Sequence, residues 1–446
     1  MNCAKGIIAR AWVNRIACTG SDGGVNVMFC GECEGDMATL GIDFGTSNTA
    51  AGWMRDGVPM VIPLEGESAT LPTAVFLDFG AKQTLYGKAA ARAMMDGEDG
   101  RFMRALKSVL GTPLAHERRQ FMAEKLTLIE VIARFLSEIK ARAEAATGET
   151  FDAAISGRPV RFHSADAARD AQALVDLTKA YELAGFGSVS FLPEPEAAAL
   201  SVTGEGRILI VDIGGGTSDF TICDKAGLET RVIASEGLRL GGTDFDKQIS
   251  LSHIMPLLGL NTQIGNEFGG GSHAAPRGLY NDLASWEKIT FVYGDKMVRE
   301  VRRWERMAKD KVPFARLADV LDMHLGHDVA YAVEAGKITA NGASEALIDL
   351  SVVEKGLGVG LSNGDLMTQL FPSAQEIAQC AAATLKAADM TPDDIDRVVF
   401  VGGSSLLGVI QQRIGVMFPN AKLETSEVFT AVVDGLAIAA GQRVGG

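Results

Sequence analysis

The sequence predicts an α/β protein built from two lobes, each with its own sheet. From residue 38 onward, strand-like runs alternate with amphipathic helices, which is the order of a layered α/β fold. A strand, an aspartate, a glycine turn and a hydroxyl residue occur twice, as IDFGT at 42–46 and VDIGGGT at 211–217, and this repeat indicates related lobes. The 446 residues exceed one ordinary domain, and 47% are hydrophobic, so each lobe can bury a core.

The pattern divides the chain into three parts. Residues 1–36 lack strand or helix periodicity, so we expect an extension outside the fold, with Met37 as the translation start. We expect lobe I over 37–203, with a closing helix at 426–444 that packs back on it. Lobe II is expected over 204–425, with a helical insertion at about 255–350. Two capping boxes, at Thr127–Glu130 and Ser373–Glu376, predict helix starts, and 259–278 reads as a loop.

Charge and hydropathy exclude some partners. A formal net charge of −14 argues against nucleic-acid binding through a general phosphate field. No stretch approaches the ~20 apolar residues of a membrane-spanning helix, so we expect no membrane partner and a cytoplasmic protein. Cys30 and Cys33 have the spacing of a zinc or redox pair, but no second pair follows, so we expect no metal there.

The two glycine turns are candidate phosphate-binding sites. Glycine turns at strand ends present backbone N–H groups without a Cβ in the way, and two facing turns suit a polyphosphate. The candidates are Gly45, Thr46, Ser47 and Asn48 in the first turn, and Gly214, Gly215, Gly216 and Thr217 in the second. Asp43 and Asp212 precede the turns and can hold a hydrated Mg²⁺ between them. Either turn alone could be a tight hairpin, whereas the pair favours a ligand.

Six motifs in order resemble the nucleotide-binding domain of DnaK-type heat-shock chaperones, the heat shock protein 70 family of the actin-like ATPase superfamily. The motifs are IDFGTSNT (42–49), LPEPEAAAL (192–200), VDIGGGTSD (211–219), LGGTDFD (240–246), EAGKITAN (334–341) and VGGSS (401–405). The resemblance covers 38 to about 444. KSVLG (107–111), SGRPVRF (156–162) and SHIMPLLGL (252–260) look closer to the shorter, YegD-type members.

The resemblance implies an actin-like ATPase fold, in which two lobes with mixed five-stranded sheets and flanking helices enclose a nucleotide cleft. It implies ATP or ADP with Mg²⁺ as cofactors and a protein partner or co-chaperone as a possible partner. Asp43 and Asp212 would organise the metal's waters, Glu194 would orient the metal shell, and Asp219 would polarise the attacking water. The nucleoside would be held by Gly241, Gly242, Glu334, Lys337, Gly402, Gly403 and Ser404.

The sequence departs from the family at the γ-phosphate. The family's first lobe carries a lysine four residues after a glycine, and Ala91 stands at that position here. We expect Arg92 to replace that cation in part, with Lys107 or Lys88 as the next candidates. An arginine fork does not substitute directly for a compact ammonium, so slow hydrolysis is expected. Ile338 and Leu406 replace cations near the adenine, which predicts more apolar base contacts.

The chain stops at Gly446 soon after its closing helix, so we expect no peptide-binding domain. The leading hypothesis is an ATP-binding, slowly ATP-hydrolysing, chaperone-like protein. Two alternatives stay open. One is a nucleotide-gated binding or scaffold module with little hydrolysis. The other is a small-molecule kinase of the same superfamily.

Overall fold

The structure is a computed structural model, and it describes residues 38–226, 229–266, 269–425 and 430–444. The expected extension at 1–36 and the cysteine pair within it lie outside the described residues.

The first lobe is built on a mixed sheet with the strand order β11-β10-β1-β2-β3. Its strands and those of its smaller sheets are β1 (Ala38–Phe44), β2 (Asn48–Arg55), β3 (Val58–Ile62), β4 (Leu71–Pro72), β5 (Ala74–Asp78), β6 (Gln83–Tyr86), β7 (Gly100–Arg104), β8 (Arg119–Phe121), β9 (Glu124–Leu126), β10 (Phe151–Arg158) and β11 (Ser188–Pro193). The helices are α1 (Gly87–Met95), α2 (Pro113–His116), α3 (Leu128–Thr147), α4 (Ala167–Leu183) and α5 (Glu194–Ser201). β1 runs parallel to β10 and antiparallel to β2, and the two-residue β4 also pairs with β2.

The second lobe repeats this plan with the strand order β14-β13-β12-β19-β20. Its strands are β12 (Gly206–Ile213), β13 (Ser218–Ala226), β14 (Glu229–Leu238), β15 (Gln263–Gly265), β16 (Ser272–Ala274), β17 (Glu345–Asp349), β18 (Gly358–Ser362), β19 (Arg397–Val401) and β20 (Lys422–Thr425). Its helices are α6 (Gly242–Ile249), α7 (Arg277–Leu283), α8 (Asp295–Met307), α9 (Val312–Asp322), α10 (Gly326–Gly342), α11 (Asn363–Ala387) and α12 (Gly408–Met417), and α13 (Ala431–Val444) follows them in the chain. The predicted pair of mixed sheets with flanking helices is confirmed.

Helix α13 belongs to the first lobe by contact, although it ends the described chain. It packs on β1, β2 and α5. Close approach is possible because glycines face the backbone of the opposing element: a Cβ on Gly41 would lie 2.9 Å from the backbone nitrogen of Ala437, and one on Gly435 would collide with the carbonyl of Ala197. An apolar cluster that includes Ile155, Val399 and Leu436 joins α13 to both sheets. The two lobes therefore share one buried seam beneath the cleft.

Two local predictions need correction, and one is confirmed. Thr127 caps α3 through a capping box with Glu130, as predicted. The predicted helix start at Ser373 is wrong, because α11 runs without a break from Asn363 to Ala387 through Pro372 and is capped by Ser362. Ser373 is buried instead and accepts a hydrogen bond from Gln248 at 2.6 Å. The segment 259–278 is also more regular than predicted, since β15 and β16 pair in it.

Candidate functional site

A cleft of about 410 Å³ opens between the lobes at the ends of β1 and β12. Most of the residues predicted for a nucleotide site line it. They are Asp43, Gly45, Thr46, Ser47, Asn48, Glu194, Asp212, Gly214, Gly215, Gly216, Thr217, Gly242, Glu334, Lys337, Gly402, Gly403 and Ser404. The fold thus gathers into one concavity motifs that lie up to 361 residues apart in the sequence (404 minus 43).

The two glycine turns face each other across the base of this cleft. A Cβ on Gly216 would lie 2.9 Å from Thr46 Oγ1, and one on Gly215 would collide with the Ser47 hydroxyl. Gly402 has φ +78°, and a Cβ there would lie 2.8 Å from Asp212 Oδ1. Larger residues at these positions would close the gap, so glycine keeps backbone N–H groups accessible to a ligand.

Three carboxylates crowd the end of the cleft next to these turns. Asp43 ends β1, Asp212 ends β12, and Glu194 begins α5. Burial, followed by the nearby charge of Glu194, raises the pKa of Asp43 to about 7. The pKa of Asp212 is raised well above its usual value by burial and by Glu194, Asp219 and Asp43. Burial and mutual repulsion therefore disfavour the charged forms of Asp43 and Asp212.

Lys107 is the cation at this end of the cleft. It follows Ala105, whose left-handed backbone (φ 57°) leads into a short 3₁₀ helix at Leu106–Val109. Its side chain is 6% exposed, and its Nζ forms an ion pair with Glu194. Burial alone would lower the pKa of Lys107, but the carboxylates of Glu194 and Asp43 outweigh burial and raise it. The ammonium is therefore held charged at this end of the cleft.

The structure does not bring Arg92 into the site. Arg92 is exposed on α1, outside the set of residues that line the cleft, and Ala91 is on the same helix. Lys88 is exposed on that helix as well. The expectation that Arg92 replaces the missing lysine is corrected by this placement, because Lys107 occupies the position next to the carboxylates instead.

Asp219 and Gly241 lie behind the cleft wall. Asp219 is 1% exposed and pairs with Asp212 across β12 and β13. Its Oδ1 accepts a hydrogen bond of 2.7 Å from the backbone N–H of Val160 in the first lobe. Burial and the charge of Glu194 raise its pKa to about 8. Gly241 precedes α6 and packs against the backbone of Gly216. Both residues support the phosphate turn without lining the cavity.

The opposite end of the cleft combines paired charges with apolar side chains. Lys337 forms an ion pair of 2.7 Å with Asp246, and both side chains are under 10% exposed. Ile338 and Leu406 line the cleft with 64% and 39% of their surface exposed. Asn341 fixes the Leu406 segment by donating a hydrogen bond of 3.0 Å to the Leu406 carbonyl. Exposed apolar surface inside a cleft, with a few placed polar groups, suits a planar base.

An ion pair between the lobes closes the cleft at this end. Arg104 on β7 donates two hydrogen bonds to Glu334 on α10, at 2.8 and 3.1 Å. The Arg104 guanidinium also lies over the rings of Trp286 and Tyr331, 4.3 and 5.0 Å from their centroids. The carboxylate of Glu334 keeps its pKa low because Arg104 outweighs the effect of burial. We name the contacts of Arg104 with Glu334, Trp286 and Tyr331 the latch. No sequence motif indicated it, because its members lie up to 230 residues apart.

The donor set fits a hydrated divalent cation. In the described part of the chain, no three His, Cys, Asp or Glu side chains are arranged to hold a metal directly. Asp43, Glu194 and Asp212 nevertheless line one end of the cleft with Lys107 as their compensating cation. Mg²⁺ keeps most of its waters and is held by one or two carboxylates and substrate phosphates, so this environment matches its chemistry.

Two lobes on mixed sheets, with the cleft between facing glycine turns, define the fold of the actin-like ATPases. The family profile described as Hsp70 protein matches residues 39–265, just over half of the 446 residues, and this chain belongs to that family. Membership indicates an ATP-binding, chaperone-like protein. Within the described residues, the helices are all too short or too polar to span a bilayer.

Proposed function

We propose that this protein binds ATP with Mg²⁺ in the interlobe cleft and hydrolyses it slowly to ADP and phosphate, as part of a chaperone-like cycle. The observation that carries the proposal is the meeting of two glycine turns, three carboxylates and one buried lysine at one end of a single cleft. Apolar side chains and paired charges at the other end suit a nucleoside.

The residues have separable roles in this proposal. The turns at 45–48 and 214–217 bind the phosphates through backbone N–H groups. Asp43 and Asp212 would hold a hydrated Mg²⁺, which would supply positive charge against the phosphates. Gly402, Gly403 and Ser404 press against the nucleoside with Glu334 and Lys337. Asp219 is a positioning residue, because its carboxylate fixes Val160 and the strand beside Asp212.

Lys107 supplies the cation for the transferred phosphoryl group. In hydrolysis, a water oxygen forms a bond to the γ-phosphorus, and the bond to the β–γ bridging oxygen breaks with its electron pair left on ADP. The water's proton passes to a cleft carboxylate or to the phosphate formed. Glu194 lines the cleft beside Lys107 and is the carboxylate best placed to orient that water. Lys107 already forms an ion pair with Glu194, so its ammonium must interact with both Glu194 and the transferred phosphoryl group. We therefore expect slow turnover.

Titration with ATP and Mg²⁺ and a steady-state assay test this proposal together. We expect metal-dependent binding of ATP and slow release of phosphate without any added acceptor. Binding without turnover would favour the nucleotide-gated scaffold, and turnover only with an added small-molecule acceptor would favour the kinase. Absence of binding would contradict the proposal itself.

A further inference from the structure

A second cavity lies between the lobes on the far side of the phosphate turns. Its volume is about 380 Å³. Its walls come from the segment 108–114 and Arg169 in the first lobe, and from Arg239, Lys247 and Lys288 in the second. We name this cavity the rear chamber. Of its charged residues, Asp244 lies in a sequence motif of the nucleotide site, LGGTDFD at 240–246, and the others lie outside those motifs.

A small cavity, which we name the neck, lies between the nucleotide cleft and the rear chamber and shares residues with both. The neck has a volume of about 10 Å³. It shares Thr46, Lys107, Gly216 and Thr217 with the cleft, and it shares Ser108, His163, Gly216 and Arg239 with the chamber. Gly216 lines the cleft, the neck and the chamber, and a Cβ there would lie 2.9 Å from Thr46 Oγ1 and 3.3 Å from Ser108 Oγ. A side chain at position 216 would therefore fill the space between Thr46 and Ser108, and glycine leaves that space free.

The charges of the rear chamber favour an anion. Arg169, Arg239, Lys247 and Lys288 line it against only two carboxylates, Asp244 and Glu287, in a chain whose formal net charge is −14. A concave surface of one sign concentrates ligands of the opposite sign.

Two of the four cations lack a carboxylate partner. Among the described residues, Arg239 and Lys247 form no ion pair; Arg239 donates one hydrogen bond, of 3.2 Å, to the carbonyl of Ser108. Lys288 is paired with Asp282 at 3.1 Å and Arg169 with Asp166 at 3.3 Å. The charge of Asp244 acts on both half-buried cations but forms an ion pair with neither, so both keep hydrogen-bonding capacity that an oxyanion would satisfy.

We propose that the rear chamber is a phosphate site, held chiefly by Arg239 and Lys247, that receives inorganic phosphate through the neck after hydrolysis. This inference rests on the proposed hydrolysis, since the neck opens at Lys107, where the γ-phosphate would be cleaved. The nucleotide itself would block departure through the cleft, whereas the neck leads away from it. A phosphate ion from solution has the same chemistry and would use the same cations.

Equilibrium binding of inorganic phosphate to the full chain with Mg²⁺–ADP tests the site without requiring turnover. Removing one charged hydrogen-bond donor should weaken phosphate binding about tenfold in Lys247→Gln and in Arg239→Gln. The matched control is Lys296→Gln, which removes an exposed lysine on α8 outside the chamber and should change binding by less than about twofold. Equal phosphate affinity in Lys247→Gln, Arg239→Gln and the control would overturn the proposal.

A single turnover of ATP identifies the source of the phosphate. Cleavage is followed by chemical quench, and free phosphate by a fluorescent phosphate-binding sensor. We expect free phosphate to lag behind cleavage, and the lag to shorten in Lys247→Gln. Phosphate binding that depends on Lys247 without any lag would support the site but assign its anion to the solution. Absence of cleavage would defeat the proposed hydrolysis, while the equilibrium measurement would still decide the chamber.

Discussion

Replacing Lys107 by methionine should abolish most of the turnover while the nucleotide still binds. Lys107 is buried, and it is the cation beside Glu194 and Asp43 in the described cleft. At about 3 Å from a phosphoryl oxygen, with an effective dielectric constant of about 20, one unit charge is worth about 5 kcal/mol. A thousandfold change in rate corresponds to about 4 kcal/mol, so we expect Lys107→Met to lower single-turnover cleavage by roughly a thousandfold.

Three comparisons make this result interpretable. Lys107→Arg keeps the charge but not the compact ammonium, so its rate should lie between those of the wild type and the methionine variant. Arg92→Met removes a cation that is exposed on α1 and should leave the rate unchanged. Melting temperatures with Mg²⁺–ADP would show that each variant is folded. A folded Lys107→Met protein that cleaves ATP within about threefold of the wild-type rate would refute the reasoning from buried charge.

Other perturbations follow from the latch, the carboxylates and a buried histidine. Arg104→Met should raise the release rate of a fluorescent ADP analogue in stopped flow at least about tenfold, because breaking a buried bidentate pair costs several kcal/mol. The control is Arg134→Met, on the surface of the first lobe. Equal release rates in the two variants would contradict a latch. Asp212→Asn should weaken binding of Mg²⁺–ATP more than binding of ATP in EDTA, and calorimetry showing equal losses would oppose a metal role. His327 is buried, and burial followed by the charge of Arg104 lowers its pKa to about 3. The unfolded chain, with a histidine pKa near 6.5, therefore binds the proton first, and stability falls as pH drops below about 6.5, by up to about 1.4 kcal/mol per pH unit. Urea titrations at several pH values should show that the free energy of unfolding falls less steeply with decreasing pH in His327→Gln than in the wild type. The same dependence on pH in both proteins would exclude His327 as the cause.

The sequence predicted the two glycine turns that face each other in the cleft because their pattern is local. Gly45–Asn48 and Gly214–Thr217 each combine a strand end, a glycine turn and a hydroxyl residue within a few positions. The pattern can therefore be recognised without knowing which distant residues it contacts. The pairing of two sheets followed from the repeat of that pattern. Both features depend on neighbours in the chain, which a sequence displays directly.

The sequence named Lys107 only as a next candidate after Arg92, and it did not predict the latch. Lys107 pairs with Glu194 from a short 3₁₀ helix that follows Ala105, whose left-handed backbone is a conformation that alanine rarely takes. The latch unites Arg104 with Glu334 across both lobes. Arg92 lies next to Ala91, which stands at the position of the family's lysine, but α1 packs on β5 and leaves Arg92 exposed to solvent. Each of these outcomes depends on tertiary geometry.

Helix α11 shows a related limit of prediction from sequence. Proline usually interrupts a helix, and a capping box after Pro372 is a reasonable start signal. Here Leu366, Leu370 and Ile377 keep one buried face on both sides of the proline, and Ser373 bonds to Gln248. Packing of that face therefore outweighs the hydrogen bond that the proline removes.

The packing of α13 on β1 bears on how the chain is made. Between the end of β1 at Phe44 and the start of α13 at Ala431 lie 386 residues (431 minus 44 minus 1). At about 5–20 residues per second, synthesis of that stretch takes roughly 20–80 s. Throughout that interval the apolar surface of β1 that α13 covers would lack its partner, and the surface of α5 would lack it from the time α5 is made. A nascent chain of this family would thus itself present, for tens of seconds on the ribosome, the kind of uncovered apolar surface that attracts other chains.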